Sequence, residues 1–172
     1  PLPEGLMVHR NTMIATPDTL YVGDDKSCKL IDTATGETRS EIVPPIDVAG
    51  GTFWKWMALD DGVLYALVGE AEPKDETMRW KREAHGWPWT GVSKGYNQPE
   101  HPWGFGRNLL AMDPASGNVL WHYHEDEPID SRAVCLKDGR IYAFRFGAYL
   151  TCLDADSGKF RRWLLQPNQR VI

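Results

Sequence analysis

Apolar and polar residues alternate along this chain in short runs closed by turns rich in Asp and Gly. Outside residues 70–106, no window of ten or more residues sustains the 3.6-residue period of an amphipathic helix. Runs such as Val63 to Val68 and Ile141 to Phe144 are apolar on both faces, which predicts strands packed between two other layers. One phrase recurs three times, as Leu30-Ile31-Asp32-Thr33-Ala34-Thr35-Gly36, Ala111-Met112-Asp113-Pro114-Ala115-Ser116-Gly117 and Cys152-Leu153-Asp154-Ala155-Asp156-Ser157-Gly158. In each copy the Asp side chain can bond the backbone two residues on, while Gly takes the left-handed position before the next strand. A second phrase, ending in Tyr21, Tyr65 and Tyr142, precedes each copy, and in the later two it carries an Asp-Gly hairpin turn.

The spacing gives the period. Asp113 and Asp154 are 41 residues apart, and Asp32 and Asp113 are 81 apart. The middle copy carries 36 extra residues between its Asp-Gly turn and its second phrase, so the underlying repeat is 41 to 45 residues, the length of a four-stranded propeller blade. The pattern predicts an all-β chain, a partial β-propeller of three four-stranded antiparallel blades at about 11–43, 54–124 and 132–164, with a long insertion in the second blade at 70–106. The remaining blades needed to close a ring are expected from the same chain.

Composition narrows the partners. With 42% hydrophobic and 25% charged residues the chain is ordinary globular material, and its net charge of -5 offers no basic field for nucleic acid. No run approaches the roughly 18 apolar residues of a spanning helix, and the chain begins at Pro1, so a true N-terminus is expected to lie upstream. Cys28, Cys135 and Cys152 form no CxxC or CxxCH, which excludes a haem attachment or zinc ribbon in this segment. Each sits in an apolar run and reads as a small buried hydrophobe, with a Cys135–Cys152 disulfide as the alternative.

Ala111, Asp113, Ser116, Gly117 and Trp121 stand as A-x-D-x-x-[ST]-G-x-x-x-W, which resembles the tryptophan-docking motif of the pyrroloquinoline-quinone (PQQ) repeat propellers. Ser40 takes the Trp position in the first copy and Arg162 in the third, with Trp163 one place late. The resemblance implies an exported protein, periplasmic or extracellular. It also implies one of two activities: a binding or scaffolding propeller, or part of a PQQ-dependent alcohol or sugar dehydrogenase. PQQ with calcium is a cofactor by this resemblance alone, and no vicinal Cys pair of the kind found beside it is present.

In a propeller the insertion and the starts of the innermost strands share one face. Four of the eight Trp lie in the insertion (Trp80, Trp87, Trp89 and Trp103). Rigid segments such as Gly86-Trp87-Pro88-Trp89 suit either flat ligands or a small core of the lid itself. Trp87, Trp89 and Trp103 are therefore candidate contacts for a carbohydrate or planar ligand. Alignment on the three Tyr residues places Asn11, Lys55 and Arg132 at equivalent positions, with Arg10, Trp54 and Ser131 one residue earlier. These positions predict either a cationic funnel for an anionic ligand or a salt-bridged rim in which Arg132 meets Asp130 or Glu127. A protein partner on the same face is the other expectation. His122-Tyr123-His124 can hold a metal in principle, but on an outer strand it reads as exposed polar surface, so no metal site is expected. The carboxylates of Glu125 to Asp130 lack the spacing of a calcium loop. No catalytic triad, phosphate loop or HExxH occurs, which leaves any catalytic residue unassigned.

Overall fold

A computed structural model describes residues 11–70, 104–145 and 150–163, and they are almost entirely antiparallel β. The first repeat comprises β1 (Met13–Ala15), β2 (Thr19–Gly23), β3 (Cys28–Asp32) and β4 (Thr38–Ile42). They form a four-stranded sheet in that order. A one-turn helix, α1 (Ile46–Ala49), is closed by Gly50 in the left-handed conformation and leads into the second repeat. There follow β5 (Phe53–Asp60), β6 (Val63–Gly69), β7 (Phe105–Met112), β8 (Val119–Lys137), β9 (Arg140–Arg145), β10 (Leu150–Asp154) and β11 (Phe160–Trp163). These seven strands make one sheet, ordered from β11 down to β5.

Four antiparallel strands are paired in each repeat, but only the first repeat forms a sheet of its own. The second and third share β8, whose N-terminal half pairs with β7 and whose C-terminal half pairs with β9. No Gly or Asn-Gly turn separates His124 from Arg132, so the chain continues extended from one repeat into the next. Register shifts on both sides of β8 mark where it leaves one partner for the other. The seven-stranded sheet also folds over on itself. Tyr65, Leu67, Leu109 and Ala111 of β6 and β7 share a core cluster with Ile141, Ala143 and Leu153 of β9 and β10. On the other side of β6 and β7, Leu64, Ala66, Leu110 and Met112 pack with Tyr21, Cys28, Leu30 and Ile42 of the first repeat. The both-faces-apolar runs of the sequence are therefore strands buried on two sides. Each large apolar side chain so buried contributes about 1.5–3 kcal/mol.

The recurrent turns behave alike. Gly36, Gly117 and Gly158 all have positive φ (75°, 74° and 65°), and their N–H groups donate to the carbonyls of Asp32, Asp113 and Asp154. The Asp carboxylates accept from the turn as well, from Thr35 N–H, Ser116 Oγ and Ser157 Oγ respectively. Trp121 then reaches from the second repeat to the third. Its Nε1 donates to Ala155 O at 2.7 Å, and its ring lies so close over Gly158 that a Cβ there would come within 2.8 Å. At the preceding junction Ile42, two residues beyond Ser40, approaches the corresponding Gly117 instead.

Cys28 and Cys152 are buried, but Cys135 is exposed, which corrects its reading as a buried hydrophobe. It lies on β8, the innermost strand of the third repeat, where one side of the sheet borders an open cleft. All three thiols are free. Cys135 and Cys152 flank Tyr142 from opposite strands, two strand spacings or roughly 9.5 Å apart, beyond the reach of a disulfide. Burial pushes the Cys28 thiol up to about 12, leaving it inert.

Candidate ligand site at the base of the insertion

The strand register bears on the alignment of the innermost strands directly. Ile14, Ala58 and Cys135 lie opposite Tyr21, Tyr65 and Tyr142, so Asn11, Lys55 and Arg132 are indeed three residues upstream of equivalent points. Their surroundings differ. Lys55 is the extra residue of a β-bulge, because Trp54 pairs with Val68 and Trp56 with Leu67. A bulge re-aims one side chain and inverts the alternation beyond it. Consequently Trp54 and Met57 face the first repeat while Trp56 faces the third.

The bulge lays the Lys55 stem across the strand ends that frame the insertion. Its Cε and Cδ lie against Gly69 at the end of β6 and Gly106 at the start of β7, and a Cβ at Gly106 would come within 3.1 Å of it. The Lys55 ammonium sits 5.3 Å from the Phe53 ring centroid, and the residue is 1% exposed. At Gly106 a side chain would crowd Leu67 and the lysine stem together. The framing strands leave 70–104 between them, close to the expected 70–106.

Arg132 stands on the other side of the same strand end. Its guanidinium lies 5.9 Å from the ring centroid of Phe105 and grips Asp130 through both Nε, at 2.7 Å from Oδ1, and a terminal nitrogen on Oδ2. Of the two readings of this rim, the ion pair is the one made at Arg132. Lys55 and Arg132 therefore flank consecutive residues, Gly106 and Phe105, whereas Asn11 and Trp54 belong elsewhere. Asn11 accepts at its carbonyl from Met57 N–H at 2.8 Å and borders a cleft of about 520 Å³ lined also by Trp56, Asp60, Cys135 and Lys137. Trp54 is wholly buried against Gly23 and Met57, a core position. Arg10, Trp87, Trp89 and Trp103 lie outside the described residues.

A second polar cluster escaped sequence reasoning. On β7, Asn108 is buried and its Nδ2 donates to Ala49 O at 2.7 Å. Its Oδ1 faces His122 Nε2 at 3.0 Å and His124 Nδ1 at 2.7 Å. The available signal was a lone amide in an otherwise apolar strand, opposite the His-x-His pair. Among the described residues no group of three or more His, Cys, Asp or Glu is placed to hold a metal. No helix there is long and apolar enough to cross a membrane.

No family model and no curated protein matches the chain. Solved structures do. The computationally designed Ika4 protein matches with a TM-score of 0.54 at 11% identity, covering 92% of this chain and 74% of its own. The designed Ika8 protein matches at 0.52 and 10% identity, covering 88% and 35%. Sqt1 of Saccharomyces cerevisiae, a WD-repeat propeller, matches at 0.51 and 6% identity, covering 84% and 29%. The chain thus spans about a third of the length of Ika8 and of Sqt1. At these identities the likeness is one of fold, and the fold is all-β and propeller-like.

Proposed function

We propose that this chain is a binding or scaffolding segment of a β-propeller of the PQQ-repeat kind, exported from the cytoplasm, which holds an anionic or carbohydrate ligand, or a protein partner, on the face carrying the insertion. The docking of Trp121 on Ala155 and Gly158 supports the repeat type, since it uses the motif's Trp against the motif's own turn in the next repeat. The binding reading rests on one observation: the β5 bulge turns Lys55 across the two strand ends from which the insertion departs and to which it returns. A cation held there by packing is pre-oriented toward whatever the insertion covers. Arg132, bound to Asp130, shapes the rim beside it.

Calorimetric titration of the intact chain with an acidic oligosaccharide, oligogalacturonate, tests the assignment. Lys55→Met keeps the stem over Gly69 and Gly106 while removing the charge, and should weaken binding by about 1.5–3 kcal/mol with the β spectrum unchanged. Equal affinity in the wild type and Lys55→Met would discard the anion site. Trp87→Ala and Trp89→Ala should weaken the same ligand through lost stacking.

A further inference from the structure

We propose that His122, His124 and Asn108 form a site for a divalent transition-metal ion on the outer strand of the second repeat, independent of the insertion face. Residues two apart on a strand project to one side, and both imidazoles are exposed. Their nearer nitrogens converge on a single oxygen, Asn108 Oδ1, at 3.0 and 2.7 Å. That oxygen is held in place from behind, because the amide nitrogen donates to Ala49 O at the end of α1 and the side chain is 7% exposed. Two nitrogens are thus each gathered within hydrogen-bonding distance of one oxygen on a rigid support, where separate surface histidines would point at random.

In the metal-free protein both rings donate N–H to Asn108. To bind a cation, each ring moves its proton through solvent to the far nitrogen and offers the vacated lone pair, so two neutral imidazoles and a neutral amide supply the donors. Two imidazoles with an amide oxygen suit copper(II), nickel(II) or zinc(II) and not calcium or magnesium. The remaining coordination positions face outward, open to water or a donor from elsewhere.

Nickel(II) and zinc(II) titrated into the intact chain provide the test, with far-ultraviolet circular dichroism as a check of folding. One ion should bind per chain, and His122→Ala or His124→Ala should weaken it at least tenfold. Asn108→Ala should weaken it about 10–100-fold, as loss of a group orienting metal-binding histidines does. Binding that is indifferent to Asn108→Ala would mean two independent surface imidazoles and would overturn the site. Should Asn108→Ala fail to fold, Asn108→Asp decides. Its carboxylate keeps an oxygen facing the rings and adds charge, so it should bind at least tenfold tighter, and equal or weaker binding would overturn the proposal. The insertion at 70–106 carries two further histidines, His85 and His101, and the paired variant His85→Ala, His101→Ala should leave affinity and stoichiometry unchanged; loss of the ion there would overturn the site.

Discussion

The indole of Trp121 is the one side chain that both stacks on and hydrogen-bonds to the next repeat's turn among the described residues. Trp121→Ala removes both contacts and should lower the unfolding free energy by about 3 kcal/mol. Trp121→Phe keeps a ring over Gly158 but loses the N–H, and should cost about 1 kcal/mol. Urea denaturation of the two variants separates packing from hydrogen bonding, and equal losses would show that the bond to Ala155 carries the whole effect. Acid should loosen the same turns. Ser116 and the Ala115 N–H hold the Asp113 carboxyl below its usual range, and Ser157 does the same for Asp154. At Asp32 the Thr35 N–H and Arg39 do so. A carboxylate lowered in the folded state binds fewer protons there than when unfolded. Its stabilisation is therefore complete above the unfolded value near 3.8 and fades as pH falls through the lower folded one. Thermal melts should be level above about pH 5 and decline below 4; a melting temperature independent of pH down to 3 would contradict this role. These turns were legible residue by residue, since Asp, Ser and Gly each have a local physical task. Asn108 was not, because its partners are Ala49 and two histidines brought near only by the sheet.

At the scale of the strand, period and turns were readable and irregularity was not. Trp54-Lys55-Trp56 reads as simple alternation, so nothing in it announces that a bulge at Lys55 sends Trp54 into the core and inverts the order beyond. The sequence alignment found Lys55 but placed Trp54 beside it at the mouth, where the structure has it fully buried. The bulge also bears on Gly106. Gly106→Ala would set a Cβ 2.9 Å from Leu67 and 3.1 Å from Lys55. It should destabilise by about 1–3 kcal/mol, the range for overpacking, and displace the lysine stem. Denaturant midpoints against the wild type give the test, because Gly106 is not among the positive-φ glycines and the methyl meets crowding without left-handed strain; an unchanged midpoint would remove crowding as a cost. The run through β8 was equally hidden, since the repeat pattern ends the second blade at His124 and begins the third at Arg132.

In the whole molecule the shared strand should set cooperativity. Opening the third repeat means tearing β8 away from β9 while its other half stays in the second, so the two should unfold as one unit. Native-state hydrogen exchange is expected to give β6, β7, β9 and β10 one common opening energy, with β1 to β4 at a lower one; separate energies for β7 and β9 would show that the continuity carries no stability. The molecule's two ends differ in charge. The first repeat holds three Lys and Arg against six Asp and Glu, whereas the third, over 132–163, holds seven against three Asp. Met13 at one end and Phe144 and Phe160 at the other are exposed apolar side chains. The 172-residue chain should therefore self-associate head to tail in sedimentation runs at low salt, and less so as ionic screening rises; a monomer at every concentration and salt would refute it. The insertion has a different consequence, one for descent. It leaves from Gly69 and returns at Gly104, beside the paired residues Val68 and Asn108, so the two ends of the excursion are neighbours whatever lies between them. Doubling such a loop costs only about 0.6 kcal/mol in closure entropy. Mutation can therefore lengthen, shorten or rewrite this segment generation after generation while the sheet beneath keeps its register, and new specificities can arise on an unchanged frame.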